Sequence, residues 1–392
     1  MSACAQDPAA PADDRPVTQR IPVLDGVRGL AVLLVMAYHF QLFGTGPVRV
    51  AAAYTFLSGF GWAGVDLFFV LSGFLITGIL IDSRARADYY RVFYARRTLR
   101  IFPLYYVSLA LLFWAAPASA WGYVLNWTIG LGGWRAVSLV VSHFWSLCIE
   151  EQFYVAWPAC VRVFERRGLA WLSVGLIVAA PILRALCHRL NLPLGSYTFT
   201  ICRTDALALG ALLAMAFRDP QIWLRVVRWA PRTGAVTAAG FAAVVVLGGT
   251  NSYGTTVMDT IGLTLIDWTF AALLVLALAA PAGARLQRVL SCAPLRFFGK
   301  YSYGLYVWHP PVVFTLAGAG FTEAFLLRSV TSRAWAAVLA LNVVAFAISV
   351  TIALASWHLL EKHFLALKDR IGVSRPQDVS QPKRLGAHPT MS

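Results

Sequence analysis

The chain has 392 residues, of which 59% are hydrophobic and only 13% charged, and its formal net charge is +15. Soluble globular domains carry about 25% charged residues, so this composition excludes a soluble protein. The Arg and Lys residues lie mainly in short segments between apolar runs, which indicates membrane topology rather than nucleic-acid binding. The six Cys residues form no C-x-x-C pair, so neither a disulfide framework nor a zinc site is indicated, and we expect no metal.

Continuous apolar runs of about 18 to 25 residues predict α-helices that cross a hydrocarbon core of about 30 Å. The predicted fold is therefore all-α, a polytopic membrane protein with about ten transmembrane helices around a polar cavity. The predicted spans are 23–43, 61–81, 101–116, 145–163, 169–187, 200–217, 233–248, 259–280, 301–318 and 335–360. The Gly- and Trp-rich segment 117–144 is predicted to be either a loop or a re-entrant segment.

One transmembrane domain is predicted over residues 21–365, between disordered tails at 1–20 and 366–392. If the N-terminus is cytoplasmic, the inner segments hold 25 Lys and Arg residues and the outer segments hold 6. Because cytoplasmic loops carry the excess of basic residues, both termini are predicted to lie in the cytoplasm.

Ionisable side chains are costly inside a membrane and therefore mark candidate functional positions. Counting 1.5 Å per residue, several lie about 6–9 Å below the outer boundary of their spans. They are His39, Asp66, Glu150, Glu151 and Asp205, with Arg203 just above. Their common level predicts a buried reaction site. The alternative is that they pair with one another and hold helices together, and for Asp66, Arg203 and Asp205 both interpretations stay open.

His39 differs from the carboxylates, because a neutral imidazole can take a proton from a hydroxyl near neutral pH. We predict that His39 is a general base, although a lone His inside a helix bundle is more often a packing residue. Arg28 lies eleven positions earlier on the same helix, about 16 Å nearer the cytoplasm.

The inner segment before the third span contains Arg96, Arg97 and Arg100 among its six basic residues. Guanidinium groups bind phosphates in a bidentate manner, so these residues and Arg28 are candidates for binding an anionic ligand. The alternative is that they only set the topology.

His309 lies near the middle of the ninth span and precedes Pro310 and Pro311, which are expected to free backbone carbonyls close to it. Asp267 in the eighth span is expected to be a polar partner. The rest of the polar cavity is predicted to be lined by Asp205, Ser302, Tyr303 and His309.

Six segments in order resemble the motifs of the acyltransferase-3 family of integral membrane acyltransferases, over residues 20–365. The fifth of these segments, CRTDALALG (202–210), departs from the family pattern at Cys202, where Phe is usual. The segments are LDGVRGLAVLLVMAYHF (24–40), GVDLFFVLSGFLI (64–76), RRTLRIFPLYY (96–106), FWSLCIEEQFYVAWP (144–158), CRTDALALG (202–210) and FGKYSYGLYVWHP (298–310).

The resemblance implies a bacterial inner-membrane enzyme that transfers an acyl group, expected to be acetyl, from cytosolic acyl-CoA to a hydroxyl of a glycan or glycoconjugate. Its partners would be the lipid bilayer, acyl-CoA and a carbohydrate-containing acceptor, with no nucleic acid. Some members carry an SGNH hydrolase-like extension, which we expect this chain to lack. A macrolide or other secondary-metabolite sugar is the alternative acceptor, and a proton-coupled transporter or an exporter of acylated intermediates is the alternative of another class.

In this interpretation the Arg and His of the first motif, Arg28 and His39, are needed for activity. Arg28 binds the donor phosphates together with Arg96, Arg97 and Arg100. Glu150 or Glu151 orients His39, and Arg203 stabilises the oxyanion, with Asp66 beside these groups. Direct transfer is favoured over a covalent relay, for which Ser72, Ser146 and Cys148 are the candidate nucleophiles.

Overall fold

The computed structural model describes residues 21–41, 49–329 and 333–371. These residues form helices joined by turns and contain no β-strand, which confirms the predicted all-α fold. Pro22 occupies the first turn of the first helix, where a missing backbone N–H costs no hydrogen bond.

The helices of the first half of the described chain are α1 (Pro22–Phe40), α2 (Arg49–Gly59), α3 (Gly64–Ser83), α4 (Tyr89–Leu111), α5 (Ala118–Trp121), α6 (Leu125–Gly132), α7 (Leu139–Ser142), α8 (Trp145–Val163), α9 (Arg166–Arg189) and α10 (Pro193–Thr198). Short 3₁₀ turns at Phe60–Ala63 and Trp134–Ala136 join α2 to α3 and α6 to α7.

The helices of the second half are α11 (Thr200–Phe217), α12 (Pro220–Gly248), α13 (Leu263–Ala279), α14 (Arg285–Leu290), α15 (Ala293–Lys300), α16 (Ser302–Gly318), α17 (Glu323–Ser329), α18 (Ala334–Ser356) and α19 (Lys362–Arg370). Wider π-helical turns at Met258–Gly262 and Trp357–Glu361 lead into α13 and α19.

The predicted tail at 1–20 lies outside the described residues, as does most of the tail predicted at 366–392. Helix α19 nevertheless runs to Arg370, beyond the predicted domain end at 365. It packs beside α4, where the Arg96 guanidinium donates two hydrogen bonds to the carbonyl of Ile371, at 3.0 and 2.7 Å. Helical structure therefore extends past the last apolar run.

Seven helices of the described residues are long and apolar enough to cross a membrane. The prediction of ten spans exceeds that number, although each predicted segment overlaps a helix. The segment 23–43 ends outside the described residues, and 101–116 runs past the end of α4 at Leu111. The other three are α4, α8 and α16, of which α4 and α8 carry too many charges and α16 has only 17 residues. These three helices carry many of the candidate site residues.

The central and peripheral helices differ in burial. In the most apolar 18-residue window of each span, 78% of the residues are buried in Leu194–Phe217 and 72% in Tyr54–Ser83, but only 11% in Pro220–Gly248. Helices α3 and α11 thus form the centre of the bundle, and α12 lies at its periphery.

The segment 117–144, left open between a loop and a re-entrant segment, folds into α5, α6 and α7 against α4 and α8. The Tyr105 hydroxyl donates to the Ala120 carbonyl at 2.6 Å. The Gln152 amide of α8 donates to the Tyr123 carbonyl at 2.7 Å and to Asn126 Oδ1 at 3.0 Å. Two of these hydrogen bonds pair the backbone carbonyls of Ala120 and Tyr123, which would have no donor in an apolar environment.

The turn between α11 and α12 is fixed by Asp219, which accepts hydrogen bonds from the backbone N–H groups of Gln221 and Ile222, both at 3.1 Å. Its carboxylate also lies 3.1 Å from the Arg166 guanidinium. The Ile222 N–H lowers the pKa of the Asp219 carboxyl, and Arg166 acts in the same direction.

Helices α3 and α11 cross with their backbones in contact. A Cβ on Gly73 would lie 2.0 Å from the carbonyl oxygen of Leu207, and one on Gly210 would lie 2.1 Å from that of Val70. Glycine permits this close approach of two membrane helices. The crossing fixes the position of Ser72 next to Gly73 on α3.

We expect Gly73→Ala to lower the midpoint of thermal unfolding in detergent, because the added methyl group forces α3 and α11 apart. Gly175→Ala on α9 is the matched control, since a Cβ there meets no atom within 4 Å and Ala favours a helix over Gly. Equal midpoints for the two variants would contradict the close crossing.

Candidate active site

A cavity between α1, α3, α4, α8 and α16 contains most of the predicted donor-binding residues. It encloses about 780 Å³ of space between protein atoms, including its opening. Its polar and charged lining residues are Arg28, Ser72, Arg97, Arg100, Ser146, Glu150, Tyr154, Ser302, Tyr303 and Tyr306.

The lining contains three guanidinium groups but one carboxylate, that of Glu150. Arg28 lies 3.4 Å from Asp25, one turn earlier on α1. The guanidinium carbon of Arg97 lies 4.7 Å from the ring centroid of Tyr154. The excess of positive charge fits an anionic ligand, and guanidinium geometry suits phosphate.

Arg97 and Arg100 face the cavity together because they are three residues apart on α4 and therefore on one side of the helix. Arg96 precedes Arg97 and is not part of the lining as the described residues form it. Its guanidinium is directed to the Ile371 carbonyl instead. Arg97 and Arg100 thus face the cavity, whereas Arg96 holds the C-terminal helix.

Glu150 faces the cavity, which Ser72 and Tyr154 also line. The Ser72 and Tyr154 hydroxyls also contact each other. Tyr154 is one helical turn after Glu150, which places both on the same side of α8. Glu151 is buried on a different side of α8, and its Oε1 has no hydrogen-bond partner among the described residues.

The other end of the cavity is formed by Ser146 and Tyr306, whose hydroxyls lie 2.5 Å apart. The Tyr306 hydroxyl also donates to the His143 carbonyl at 2.7 Å. The ring centroid of His143 lies 6.1 Å from that of His309, which lies 4.9 Å from that of His39. None of the three histidines lines the cavity as the described residues form it. They pack behind Tyr306, whose ring centroid lies 5.5 Å from that of His143 and 6.0 Å from that of His309.

His39 contacts two groups through its Nδ1 atom: the Val35 carbonyl at 2.9 Å and His309 Nε2 at 3.2 Å. No contact among the described residues supports the prediction that Glu150 or Glu151 orients His39, because the side chain within hydrogen-bonding distance of His39 is an imidazole. His143 lies at the level of His309, and Glu150 follows seven residues later on α8, about 10 Å further along the helix axis.

This difference in level has a physical reason. Segment 117–144 folds into the bundle, so α8 starts inside the bundle rather than at its outer boundary. The sequence predicted that Glu150, Glu151 and His39 lie at one level. In the structure the two carboxylates lie at a different level from His39.

Sequence analysis missed His143, which precedes the motif at 144–158. Pro311 was the sequence feature that indicated a free acceptor near His309. Proline has no N–H, so the carbonyl four residues earlier lacks its helical donor. That carbonyl belongs to Val307, and His143 Nε2 lies 3.2 Å from it. The freed carbonyls predicted beside His309 are thus present, and one of them binds a second histidine.

Arg203, Asp66 and Asp205 form a separate buried cluster. Arg203 pairs with Asp66, and Asp205 lies 2.8 Å from Arg184. Arg184 also donates to the Cys202 carbonyl at 2.9 Å. The ring centroid of Tyr197 lies 5.0 Å from the Arg203 guanidinium carbon.

None of these cluster residues lines the cavity as formed by the described residues. The interpretation that such charges pair and hold helices together is therefore the one the geometry favours for Asp66, Arg203 and Asp205. The predicted oxyanion role of Arg203 has no contact with the cavity to support it. Sequence counting assigned Arg184 to an outer loop, but α9 continues to Arg189 and buries it completely.

Asp267 lies near the same cluster, fully buried, and neither carboxylate oxygen has a hydrogen-bond partner among the described residues. Ser302 and Tyr303 line the cavity, whereas His309, which was predicted to line it with them, does not. The Tyr303 hydroxyl donates to the Ile101 carbonyl at 2.6 Å. Within 21–41, 49–329 and 333–371, no group of three or more His, Cys, Asp or Glu side chains could hold a metal ion.

We expect Arg203→Met to lower the thermal midpoint strongly, because it leaves the Asp66 carboxylate buried without its cation. Removing one partner of a buried pair costs about 3–5 kcal/mol. Adding Asp66→Asn removes the unpaired charge, so the double variant should recover part of the loss. A double variant no more stable than Arg203→Met would contradict the pairing.

The profile of the family described as "Acyltransferase domain" matches residues 21–355. Among curated proteins, the peptidoglycan O-acetyltransferase OatA of Listeria monocytogenes is 27% identical over 75% of this chain and 49% of its own length. The putative peptidoglycan O-acetyltransferase YrhL of Bacillus subtilis is 30% identical over 75% of this chain and 48% of its own. The O-acetyltransferase OatA of Staphylococcus aureus is 28% identical over 75% and 50%.

The chain thus spans about half the length of the curated relatives that it matches. No solved structure matches it. The family profile covers most of the chain, including α1 with Arg28 and His39 and all the helices that line the cavity. The chain therefore belongs to the acyltransferase-3 family, and it carries that family's acyltransferase domain.

Proposed function

We propose that this chain is a membrane O-acyltransferase that moves an acetyl group from cytosolic acetyl-CoA to a hydroxyl of a glycan or glycoconjugate. The observation that carries the proposal is the cavity lined by three guanidinium groups, with a histidine cluster packed behind Tyr306 at the end away from them. An anionic carrier with its reactive group at the end of a long arm fits such an arrangement.

CoA is a ligand of this kind, because its phosphates lie at one end and its thioester at the other. Arg28, Arg97 and Arg100 would bind the phosphates. Arg28 and His39 are eleven residues apart on α1, about 16 Å along the helix axis. The pantetheine arm would cover that distance past Ser72 and Tyr306.

The reaction follows from the position of His39. Its Nε2 takes the proton of the acceptor hydroxyl as the oxygen attacks the thioester carbonyl carbon. The carbon–sulfur bond breaks, the new oxygen–carbon bond remains, and the thiolate sulfur receives the proton from His39. The products are the acetyl ester and the free CoA thiol, so atoms and charge balance without a metal or an oxidant.

The orientation of the chain, with both termini in the cytoplasm of a bacterial cell, is part of the proposal. It is supported by the excess of Lys and Arg in the inner segments, and burial of Arg184 strengthens that excess by removing one arginine from the outer ones. In this orientation the arginines face the side that contains acyl-CoA.

The acceptor is proposed to be a carbohydrate because relatives in two species are named as peptidoglycan O-acetyltransferases, one of them putatively. We propose direct transfer rather than a covalent relay. The Ser146 hydroxyl is occupied by Tyr306 and that of Ser72 by Tyr154. Cys148 is fully buried.

Arg28→Ala and Arg97→Ala should each weaken binding of CoA to the purified protein in detergent. Arg28→Lys should weaken it less, since the charge remains although the planar bidentate group is lost. Arg91→Ala is the matched control, because Arg91 is an exposed arginine of the same helix as Arg97. Binding as tight in the cavity variants as in the control would reduce these arginines to topology signals.

His39→Ala should lower acetyl transfer to a glycan acceptor by about 10²–10⁴-fold while CoA binding persists, because the base does not contact the phosphates.

Incubating wild-type protein with radiolabelled acetyl-CoA and no acceptor should leave it unlabelled. A labelled protein that passes its label to added acceptor would establish the relay instead. Absence of any transfer by the wild type would refute the enzyme proposal.

A further inference from the structure

The hydrogen bonds of His309 determine which of its nitrogens carries the proton. His309 Nδ1 lies 2.8 Å from the Leu305 carbonyl oxygen, and a carbonyl can only accept. Nδ1 is therefore the donor, and in a neutral ring the Nε2 atom is left as an acceptor. The ring is fully buried and cannot turn toward water.

The same reasoning applies to His39. Its Nδ1 faces two acceptors, the Val35 carbonyl at 2.9 Å and His309 Nε2 at 3.2 Å. An unprotonated Nδ1 would place lone pairs against one another at the carbonyl, so Nδ1 carries the proton. His39 Nε2 then holds the free lone pair, and it makes no hydrogen bond to the described part of the chain.

The rings are held in these positions by the irregular middle of α16. Pro310 and Pro311 follow His309 directly, and the Val307 carbonyl freed by Pro311 lies 3.2 Å from His143 Nε2. His143 packs beside His309, with ring centroids 6.1 Å apart. The packing limits the rotation of His309.

We propose that His309 is the positioning residue of the transfer reaction: together with the Val35 carbonyl it holds the ring of His39 in the tautomer whose Nε2 can accept a proton. The inference rests on the proposed function, because it assigns the base to His39. After Nε2 takes the proton, the Nδ1–H of His39 remains shared between the Val35 carbonyl and His309 Nε2, so the imidazolium keeps an oriented side-chain partner. This is the task that a carboxylate performs in hydrolase triads.

Two amide substitutions separate this role from simple packing. In His309→Gln the side-chain oxygen reaches the position of Nε2 and can accept from His39 Nδ1–H. In His309→Asn the amide reaches only the position of Nδ1, so it can bond to the Leu305 carbonyl but offers no acceptor to His39. The two variants are alike in polarity, and only the Gln variant keeps the contact to His39 that the proposal requires.

We expect kcat for acetyl transfer to fall about 100-fold or more in His309→Asn, with the KM for acetyl-CoA nearly unchanged. His309→Gln should recover at least about tenfold of that loss. CoA binding by each variant reports that the bundle has folded. His188→Gln, which alters a histidine bonded to Asp259 at 2.9 Å, should retain its activity. If the Asn variant fails to bind CoA, His309→Leu replaces it as the variant without an acceptor.

Equal activity of the Gln variant and the folded variant without an acceptor, whether both active or both inactive, would overturn the role of His309. The proposed function would still stand if the wild type transfers acetyl groups and His39→Ala does not. Failure of the wild type to transfer would instead remove the function on which the inference depends. The two failures are therefore distinguishable in one set of measurements.

Discussion

A guanidinium group buried among apolar helices needs a counter-charge or a ligand, and the bundle satisfies that requirement in two ways. Arg203 and Arg184 each pair with an aspartate, which joins the central helices α3 and α11 and the neighbouring α9. At the cavity three guanidinium groups face two carboxylates, that of Glu150 in the lining and that of Asp25, which lies 3.4 Å from Arg28. The unequal balance leaves positive charge for a ligand to neutralise. Paired charges thus hold the helices together, and underpaired charges mark where a substrate would bind.

Close backbone contact keeps these groups in position. The crossing of α3 and α11 at Gly73 and Gly210 leaves no room for a side chain, so neither helix can slide without a steric clash. Helix α1 is held against α15 in a similar way, since a Cβ on Gly29 would lie 2.0 Å from the Leu295 carbonyl oxygen. Arg28 and His39 are carried on this single, tightly packed helix. The distance between the anion-binding end and the base is consequently set by helix geometry rather than by loops.

The proline pair of α16 shows how an interruption of a helix serves the site. Without Pro311 the Val307 carbonyl would be bonded within its own helix, and His143 would lose the acceptor that lies 3.2 Å from its Nε2. Histidines from three separate parts of the chain meet there, and no charged partner is required to orient the ring of His39. An apolar environment favours this solution, because a neutral imidazole costs less to bury than a carboxylate.

The sequence by itself determined the all-α membrane fold, the approximate helices, and the candidates Arg28, Arg97, Arg100 and His39, because apolar length and the cost of buried charge are properties of local sequence. It could not decide which buried charges pair, since pairing depends on how α3, α9 and α11 rotate and cross. It placed Glu150 beside His39 because spans were counted as if each began at the membrane boundary. In the tertiary structure 117–144 folds into the bundle, so α8 begins inside it. Only this arrangement separates Glu150 from His39 and places His309 beside His39 instead.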